Sequence, residues 1–434
     1  MIARALRQGP VNPVSVYATI WSVLAVLAVL PFSDFLPMRQ ETWALMFVSF
    51  VSLVVGSTQA WLILSALASR RGRQVAAAPT VYSDRGIRAL SLVGLGTLVV
   101  YVTLQATRPP LLALVRSVGG IGGVLHGAGL EYRYAYVALA LRQAESEFQH
   151  GGLAAAIVGY ALFVPAMLGI LLVGHFALRR QWWMVAAPLI VMALYSFVSL
   201  ERALFIHALL LCLLSYYYHT KVHRLDGLPK TRTSMRGRLA VATALVAVTG
   251  ITIYLPLKLR EPSLTAVGAL QSASEYVSGP LGALNAYVIN HPHVTPTQLE
   301  FGTYSFWGGA SVLLRLGAPV HLPPNWLDFV PYQLHGDRLS NVYTWLVYFI
   351  LDFGWLGVVV IPYLMGLAAT ALHYLVLMRG RRDLIPPLCV LMAQLVMSFF
   401  AFSLLRDLRF WFVMLFAPFI VRRVLRPHFA RLDP

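Results

Sequence analysis

The apolar positions of this chain fall into long blocks rather than narrow stripes. Runs of about 20 residues, nearly free of charge, recur from end to end between short polar segments. Each run is long enough to cross a hydrocarbon core of about 30 Å as an α-helix. The two-residue alternation of a membrane β-barrel is absent, so helices remain as the way to pair every backbone N–H and C=O in lipid. The pattern predicts ten spans, near residues 13–32, 43–67, 88–106, 152–177, 181–200, 202–218, 239–257, 354–378, 384–403 and 409–422. The first run follows Arg4 and Arg7 as a signal peptide would. It ends in Pro31-Phe32-Ser33-Asp34, with no small-residue cleavage site, and reads as a retained span.

Composition removes the soluble alternative. Of 434 residues, 58% are hydrophobic and 12% charged, against about 25% charged in a soluble domain. A water-soluble core of this size cannot hide that much apolar surface, whereas lipid can. The expected fold is therefore an all-α polytopic membrane protein with about ten transmembrane helices (range 10–12), forming one transmembrane domain over residues 1–434. Cys212 and Cys389 both fall inside apolar runs. They read as small buried hydrophobes, not as a disulfide or thiolate site.

The net charge of +17 is distributed by side. With the N-terminus in the cytoplasm, 22 of the 34 basic residues lie inside, among them Arg70, Arg71, Arg73, Lys221, Lys230, Arg381, Arg382, Arg422 and Arg423. Only Asp84, Asp226, Asp383 and Asp433 join them, giving +18 inside (22 basic, 4 acidic) and −1 outside (12 basic, 13 acidic). This is the positive-inside pattern, with both termini cytoplasmic. The basicity reads as orientation and attraction to anionic headgroups, not as nucleic-acid binding.

Residues 341–378 are long enough for two spans, but two would place Arg379-Gly380-Arg381-Arg382 outside. One full span from about 354 is preferred. Residues 341–352 are then a short helix dipping in from outside or lining a cavity. Two outer loops follow from this topology: 107–150, and a larger one over 258–353. The larger loop contains apolar stretches such as Ser305–Leu316 that read as helices lying on the membrane.

Charges near the membrane need a reason. Glu201-Arg202 separates two apolar runs with almost no loop. It is either a tight solvated hairpin or an arginine at the mouth of a cavity. Lys258 and Arg260 directly follow a span on the face where positive charge is disfavoured. They either snorkel to headgroups or clamp an anion. Two arginines from different spans can grip a pyrophosphate without metal, because the planar fork donates paired charge-assisted hydrogen bonds. Arg406-Asp407-Leu408-Arg409 forms the last outer turn, where Asp407 is in reach to neutralise Arg406.

The densest polar cluster is YQLHGDRLSNVYT at 332–344, with His335, Asp337 and Arg338 inside four residues. His335 and Asp337 are the candidate bases for a sugar hydroxyl. The plainer alternative is a polar loop capping the following helix through Ser340 or Asn341. His291, His293 and His335 share the loop, but short spacing and the lack of a cysteine argue against a metal site. No Asp-x-Asp element and no Gly-x-x-x-x-Gly-Lys phosphate loop is present. No cofactor is expected.

Asn341-Val-Tyr-Thr344, Tyr348, Asp352-Phe-Gly354 and Gly357, with Tyr276-Val-Ser-Gly-Pro-Leu-Gly-Ala-Leu-Asn285 and Phe301-Gly-Thr303 upstream, together resemble the bacterial Wzy-type oligosaccharide repeat-unit polymerases. Arg202 and Arg260 match that family's outer-face arginines, although the position eleven after Arg202 is Leu213 rather than Gly. The resemblance covers residues 200–365 and implies a lipid-carrier-dependent membrane glycosyltransferase of the bacterial inner membrane, acting on its periplasmic face in O-antigen or capsule synthesis. The implied reaction transfers a growing glycan from undecaprenyl pyrophosphate to the non-reducing sugar of an incoming lipid-linked repeat unit, and undecaprenyl pyrophosphate leaves. Arg202 and Arg260 would neutralise the leaving group, with Asp337 or His335 as the base. Tyr276, Asn285, His291, His293, Arg338, Asn341, Thr344, Asp352, Arg406 and Arg409 would bind substrate. Implied partners are the lipid-linked oligosaccharides, membrane lipid, a chain-length regulator and a flippase.

Two other readings stand beside this one. An O-antigen ligase uses the same donor with lipid A core as acceptor, and His335 keeps it open. A transporter of lipid-linked glycan predicts charges in mid-span, but here the polar groups gather at the outer rim.

Overall fold

A computed structural model of the chain is mostly helical, as an all-α membrane protein would be. It describes residues 11–29, 36–70, 80–82, 84–106, 153–199, 203–225, 265–291, 299–323, 330–332, 339–340, 342–400 and 406–427, with isolated positions 250, 254 and 258. Among these residues, four helices are long and apolar enough to cross a membrane: Gln40–Ser69, Arg85–Leu104, Trp345–Arg379 and Arg382–Phe399. Pro13–Val29, Leu162–Leu178 and Trp182–Ser196 are shorter apolar helices. The predicted span 239–257, apart from positions 250 and 254, and the first outer loop lie outside the described residues.

The chain divides into two compact units. The first comprises Met1–Thr80, Ser272–Pro418 and Pro427–Pro434. It opens with α1 (Pro13–Val29), which Asn12 caps by accepting the Ser15 N–H at 2.9 Å. Pro13 takes the first helical position, where no N–H is needed. Helix α2 (Gln40–Arg70) packs along α10 (Trp345–Arg379) at small residues. A Cβ on Gly56 would lie 2.0 Å from the Tyr363 carbonyl oxygen, and one on Gly366 2.2 Å from that of Leu53. Small residues let helix backbones meet where apolar side chains gain nothing by leaving lipid. Ser57 Oγ donates to the Gly366 carbonyl across this seam at 3.2 Å.

The centre of the unit is aromatic. Tyr17 is buried with its ring 5.5 Å from both Trp21 and Trp345, and its hydroxyl shares a 2.7 Å hydrogen bond with Ser49. Helix α11 (Ile385–Val396) follows a 3-10 turn at Arg382–Leu384 and is the most enclosed of the long helices, at 83% buried against 33% for the α10 window. Its α-helical hydrogen bonding gives way to a 3-10 turn at Met397–Phe399, short of the predicted 403. There Ser398 Oγ donates back to Leu395 O and accepts from Trp21 Nε1. The turn between α10 and α11 is fixed by a two-pronged Arg381–Asp383 ion pair, which raises the Arg381 pKa.

The same unit holds α8 (Ala266–Asn290, from Ser272 onward), α9 (Trp307–Arg315), an antiparallel pair of β1 (Val330–Pro331) with β2 (Leu339–Ser340), and α12 (Leu408–Val424, to Pro418). The β register pairs Val330 with Ser340 and Pro331 with Leu339. Helix α10 begins at Trp345, not at 341, and its cap position is Thr344 rather than Ser340 or Asn341. Thr344 makes no side-chain capping bond. At Gly354 the helix breaks (φ 58, ψ −146). That conformation is open to glycine and very costly for other residues. The break divides 35 residues into a short piece and a longer one of about 37 Å, at the boundary where the apolar pattern separates the dipping helix from the span.

The second unit comprises Val81–Gln271 and Phe419–Arg426. Its helices are α3 (Asp84–Ala106), α4 (Leu153–Leu171), α5 (Val173–Leu178), α6 (Trp182–Ser199) and α7 (Ala203–Leu225). The predicted run 152–177 splits into α4 and α5 because Ser215 of α7 enters its hydrogen-bond ladder. The Ser215 hydroxyl donates to Leu171 O at 2.6 Å and accepts the Gly174 N–H at 3.0 Å. Helix α7 runs past the predicted 218, and His223 and Arg224 in its last turn suit the negative end of the helix dipole.

Candidate functional site

Asp352, Arg406 and Tyr348 of the first unit meet around one turn, residues 301–305. Two backbone bonds dock this turn on the C-terminal end of the short α10 piece: Glu300 N–H to Leu351 O at 3.1 Å, and Phe301 N–H to Asp352 O at 3.1 Å. The turn needs left-handed backbone at two successive residues, Phe301 (φ 44) and Gly302 (φ 97). Glycine takes this readily; phenylalanine does so at a cost of order 1 kcal/mol or more. The Asp352 carboxylate offsets that cost. It is buried, and its two oxygens accept the Tyr304 N–H at 2.9 Å and the Ser305 N–H at 2.5 Å.

Arg406 reaches the same turn from the segment before α12. Its Nε donates to the Tyr304 carbonyl at 2.8 Å, 102 residues away in sequence. Its guanidinium carbon lies 5.0 Å from the centre of the Tyr348 ring, a cation–π distance. Tyr348 precedes Asp352 by one helical turn, so both are on the same side of α10. Burial lowers the Arg406 pKa, while the electrostatic influence of Tyr348, Asp352 and Tyr304 raises it. Arginine remains charged through shifts of this kind.

Tyr287, near the end of α8, adds a third phenol. Burial pushes its pKa up to about 12, with a smaller push from Tyr304. Its ring stacks on His291 at 4.2 Å, and His291 Nδ1 is 2.9 Å from the Tyr287 carbonyl. His321 Nδ1 lies 3.4 Å from Glu300 Oε2 at the exposed edge of the turn.

Of the residues expected to bind substrate, Asp352, Arg406 and Tyr287's neighbour His291 gather at or beside this turn. Arg409 is engaged elsewhere: its Nε donates to both oxygens of Asp407, at 2.9 and 2.7 Å. Asp407 thus holds Arg409, not Arg406 as its position suggested. Asn285 is buried and saturated. Its Oδ1 accepts from Arg39 N–H and Thr42 Oγ, and its Nδ2 donates to the Leu36 and Pro37 carbonyls. Its visible role is to fix the start of α2. Thr344 is buried, with no hydrogen-bond partner for its Oγ among the described residues.

Arg202, Arg260, His293, His335, Asp337, Arg338 and Asn341 lie outside the described residues, as does the side chain of Tyr276. Sequence reasoning gave no site role to Tyr304, Ser305 or Tyr287, and placed Tyr348 in the polymerase-like signature without a role. Only Tyr348 carried a local signal, its four-residue spacing from Asp352. The described residues contain no group of three or more His, Cys, Asp or Glu placed to hold a metal ion. In comparisons with known proteins, no family model matches this chain, and no curated protein or solved structure matches it.

Proposed function

We propose that the protein is a repeat-unit polymerase of lipid-linked oligosaccharides, a glycosyltransferase of the bacterial inner membrane. It crosses the membrane about ten times with both termini in the cytoplasm and works at the periplasmic face. The growing glycan leaves undecaprenyl pyrophosphate and joins the non-reducing sugar of a second lipid-linked unit. One C–O bond to the pyrophosphate breaks, one glycosidic bond forms, and the acceptor hydroxyl proton passes to a base, for which Asp337 and His335 are the candidates.

The observation that carries this reading is Arg406. A guanidinium is held by a backbone carbonyl and an aromatic face, beside the break in a helix long and apolar enough to span the membrane. The wall against it comes from residues 348–354, inside the polymerase-like signature. A cation fixed at such a position suits a developing pyrophosphate charge, because no reorganisation is needed as the charge forms. Arg202 and Arg260 are proposed to complete the clamp.

The test is a deletion strain complemented with Arg406→Ala or Arg409→Ala, scored by the surface-polysaccharide ladder on a gel. The expected result is single-unit glycan in the deletion strain and with Arg406→Ala, and a normal ladder with Arg409→Ala. A full-length ladder in the deletion strain overturns the proposal. Loss of all glycan from the core, with polymer retained on the lipid carrier, indicates a ligase instead. Repeat units trapped on the cytoplasmic face indicate a transporter.

A further inference from the structure

We infer that Asp352 is a positioning residue for Arg406, acting through the backbone of the 301–305 turn rather than by meeting substrate. The inference rests on the proposed role of Arg406 as an anion-binding group.

Each link is a hydrogen bond. The Asp352 carboxylate accepts the N–H groups of Tyr304 and Ser305. The peptide that carries the Ser305 N–H also carries the Tyr304 carbonyl, because the two groups flank one C–N bond. That carbonyl accepts Arg406 Nε at 2.8 Å. A planar peptide moves as a unit, so the carboxylate that holds Ser305 N–H also sets where the carbonyl points. The peptide is held from both ends, by a buried carboxyl on its N–H side and a half-buried guanidinium on its C=O side. Hydrogen bonds arranged in series this way strengthen one another.

Burial argues against substrate contact by Asp352, whose relative exposure is 0%. Strain supplies the reason that a charged anchor is needed. The turn places Phe301 and Gly302 at positive φ, and Phe301 is 77% exposed, so its own packing does not hold it there. Without the carboxylate the turn is free to relax toward ordinary backbone angles, and the Tyr304 carbonyl turns away from Arg406. Tyr348, one helical turn from Asp352, keeps its face against the guanidinium.

The experiment uses the full-length protein in lipid nanodiscs, with inorganic pyrophosphate as the probe and affinity read by calorimetry. Asp352→Asn keeps one acceptor oxygen and loses the other. The expected result is roughly tenfold weaker binding, the size of one charge-assisted hydrogen bond, with helical content retained. In the Arg406→Ala background the same change is expected to have no further effect. Unchanged affinity in a folded Asp352→Asn protein overturns the inference. If that variant does not fold, Gly302→Ala replaces it, because a Cβ at φ +97 strains the turn and with it the Gly302 backbone hydrogen bond to the Asp352 carboxyl, while leaving both carboxyl oxygens in place. Weakened binding in folded Gly302→Ala supports the relay, and unchanged binding overturns it. If the wild-type protein binds no pyrophosphate, the anion-binding role of Arg406 fails. The relay is then decided by a thermal-stability double-mutant cycle between Asp352→Asn and Arg406→Ala, in which additive effects overturn it and non-additive effects support it.

Discussion

The Arg406 guanidinium lies over the face of Tyr348, 5.0 Å from the ring centre, while Asp352 on the next turn of the same helix is joined to Arg406 by hydrogen bonds through the Tyr304–Ser305 peptide. The face contact needs a π system and not a hydroxyl. Tyr348→Phe should therefore keep it and Tyr348→Leu should lose it. A double-mutant cycle with Arg406→Leu, read by thermal unfolding in detergent, is expected to give a coupling of about 1–2 kcal/mol for Tyr348→Leu. The coupling for Tyr348→Phe is expected to be near zero.

The seam between α2 and α10 depends on the absence of two side chains. Gly56→Ala or Gly366→Ala would place a methyl about 2 Å from a carbonyl oxygen of the opposite helix, and backbone cannot step aside as a side chain can. Each change is expected to cost about 2–3 kcal/mol. Gly96→Ala in α3 is the control. Nothing lies within 4 Å of that site, so the change should be neutral or stabilise by up to about 1 kcal/mol. A melting temperature for Gly366→Ala equal to wild type would show that the helices are not in this contact.

Asn285 spends both donors and its acceptor on residues 36–42. Asn285→Ala leaves those backbone groups unpaired, at a cost of about 3 kcal/mol or more. Asn285→Asp should fare no better, because a carboxylate cannot donate to the Leu36 and Pro37 carbonyls. Thermal unfolding of the two variants checks both expectations. A fall in glycan length at unchanged stability would instead favour a substrate contact.

Tyr287 gives a pH signature. Its folded-state pKa is raised from 10.0 to about 12, first by burial and then by Tyr304. The folded state therefore holds the proton more tightly than the unfolded chain does. The contribution is fully present below pH 10 and is lost as pH rises toward 12. Its size is about 2–3 kcal/mol at 1.36 kcal/mol per unit. The measured quantity is the difference in unfolding free energy between wild type and Tyr287→Phe across that window. Parallel curves would mean that Tyr287 titrates as an ordinary exposed phenol.

Chain pattern alone settled the broad class of this protein, because a long charge-free run has few structures open to it. Lipid offers no partner for a bare peptide group, so the backbone closes on itself as helix, and helices stand where most of the runs were read. The boundary near 354 was legible from charge, because two spans over 341–378 would place Arg379-Gly380-Arg381-Arg382 outside. Asn285, Asp352 and Arg409 show where such reading stops. Their side chains announced hydrogen-bonding capacity but not its recipients. Those recipients are backbone groups of Leu36, Pro37 and Arg39 and the Thr42 hydroxyl for Asn285, the amides of Tyr304 and Ser305 for Asp352, and Asp407 for Arg409. Asn285 and Asp352 reach across more than 40 residues of chain, and Arg406 across about 100. No sequence period encodes such separations, since a hydrogen bond is set by distance and angle in space. Packing of α8, α9, α10 and the start of α12 in the first unit therefore decided which polar residues hold the fold and which one stands as the fixed cation.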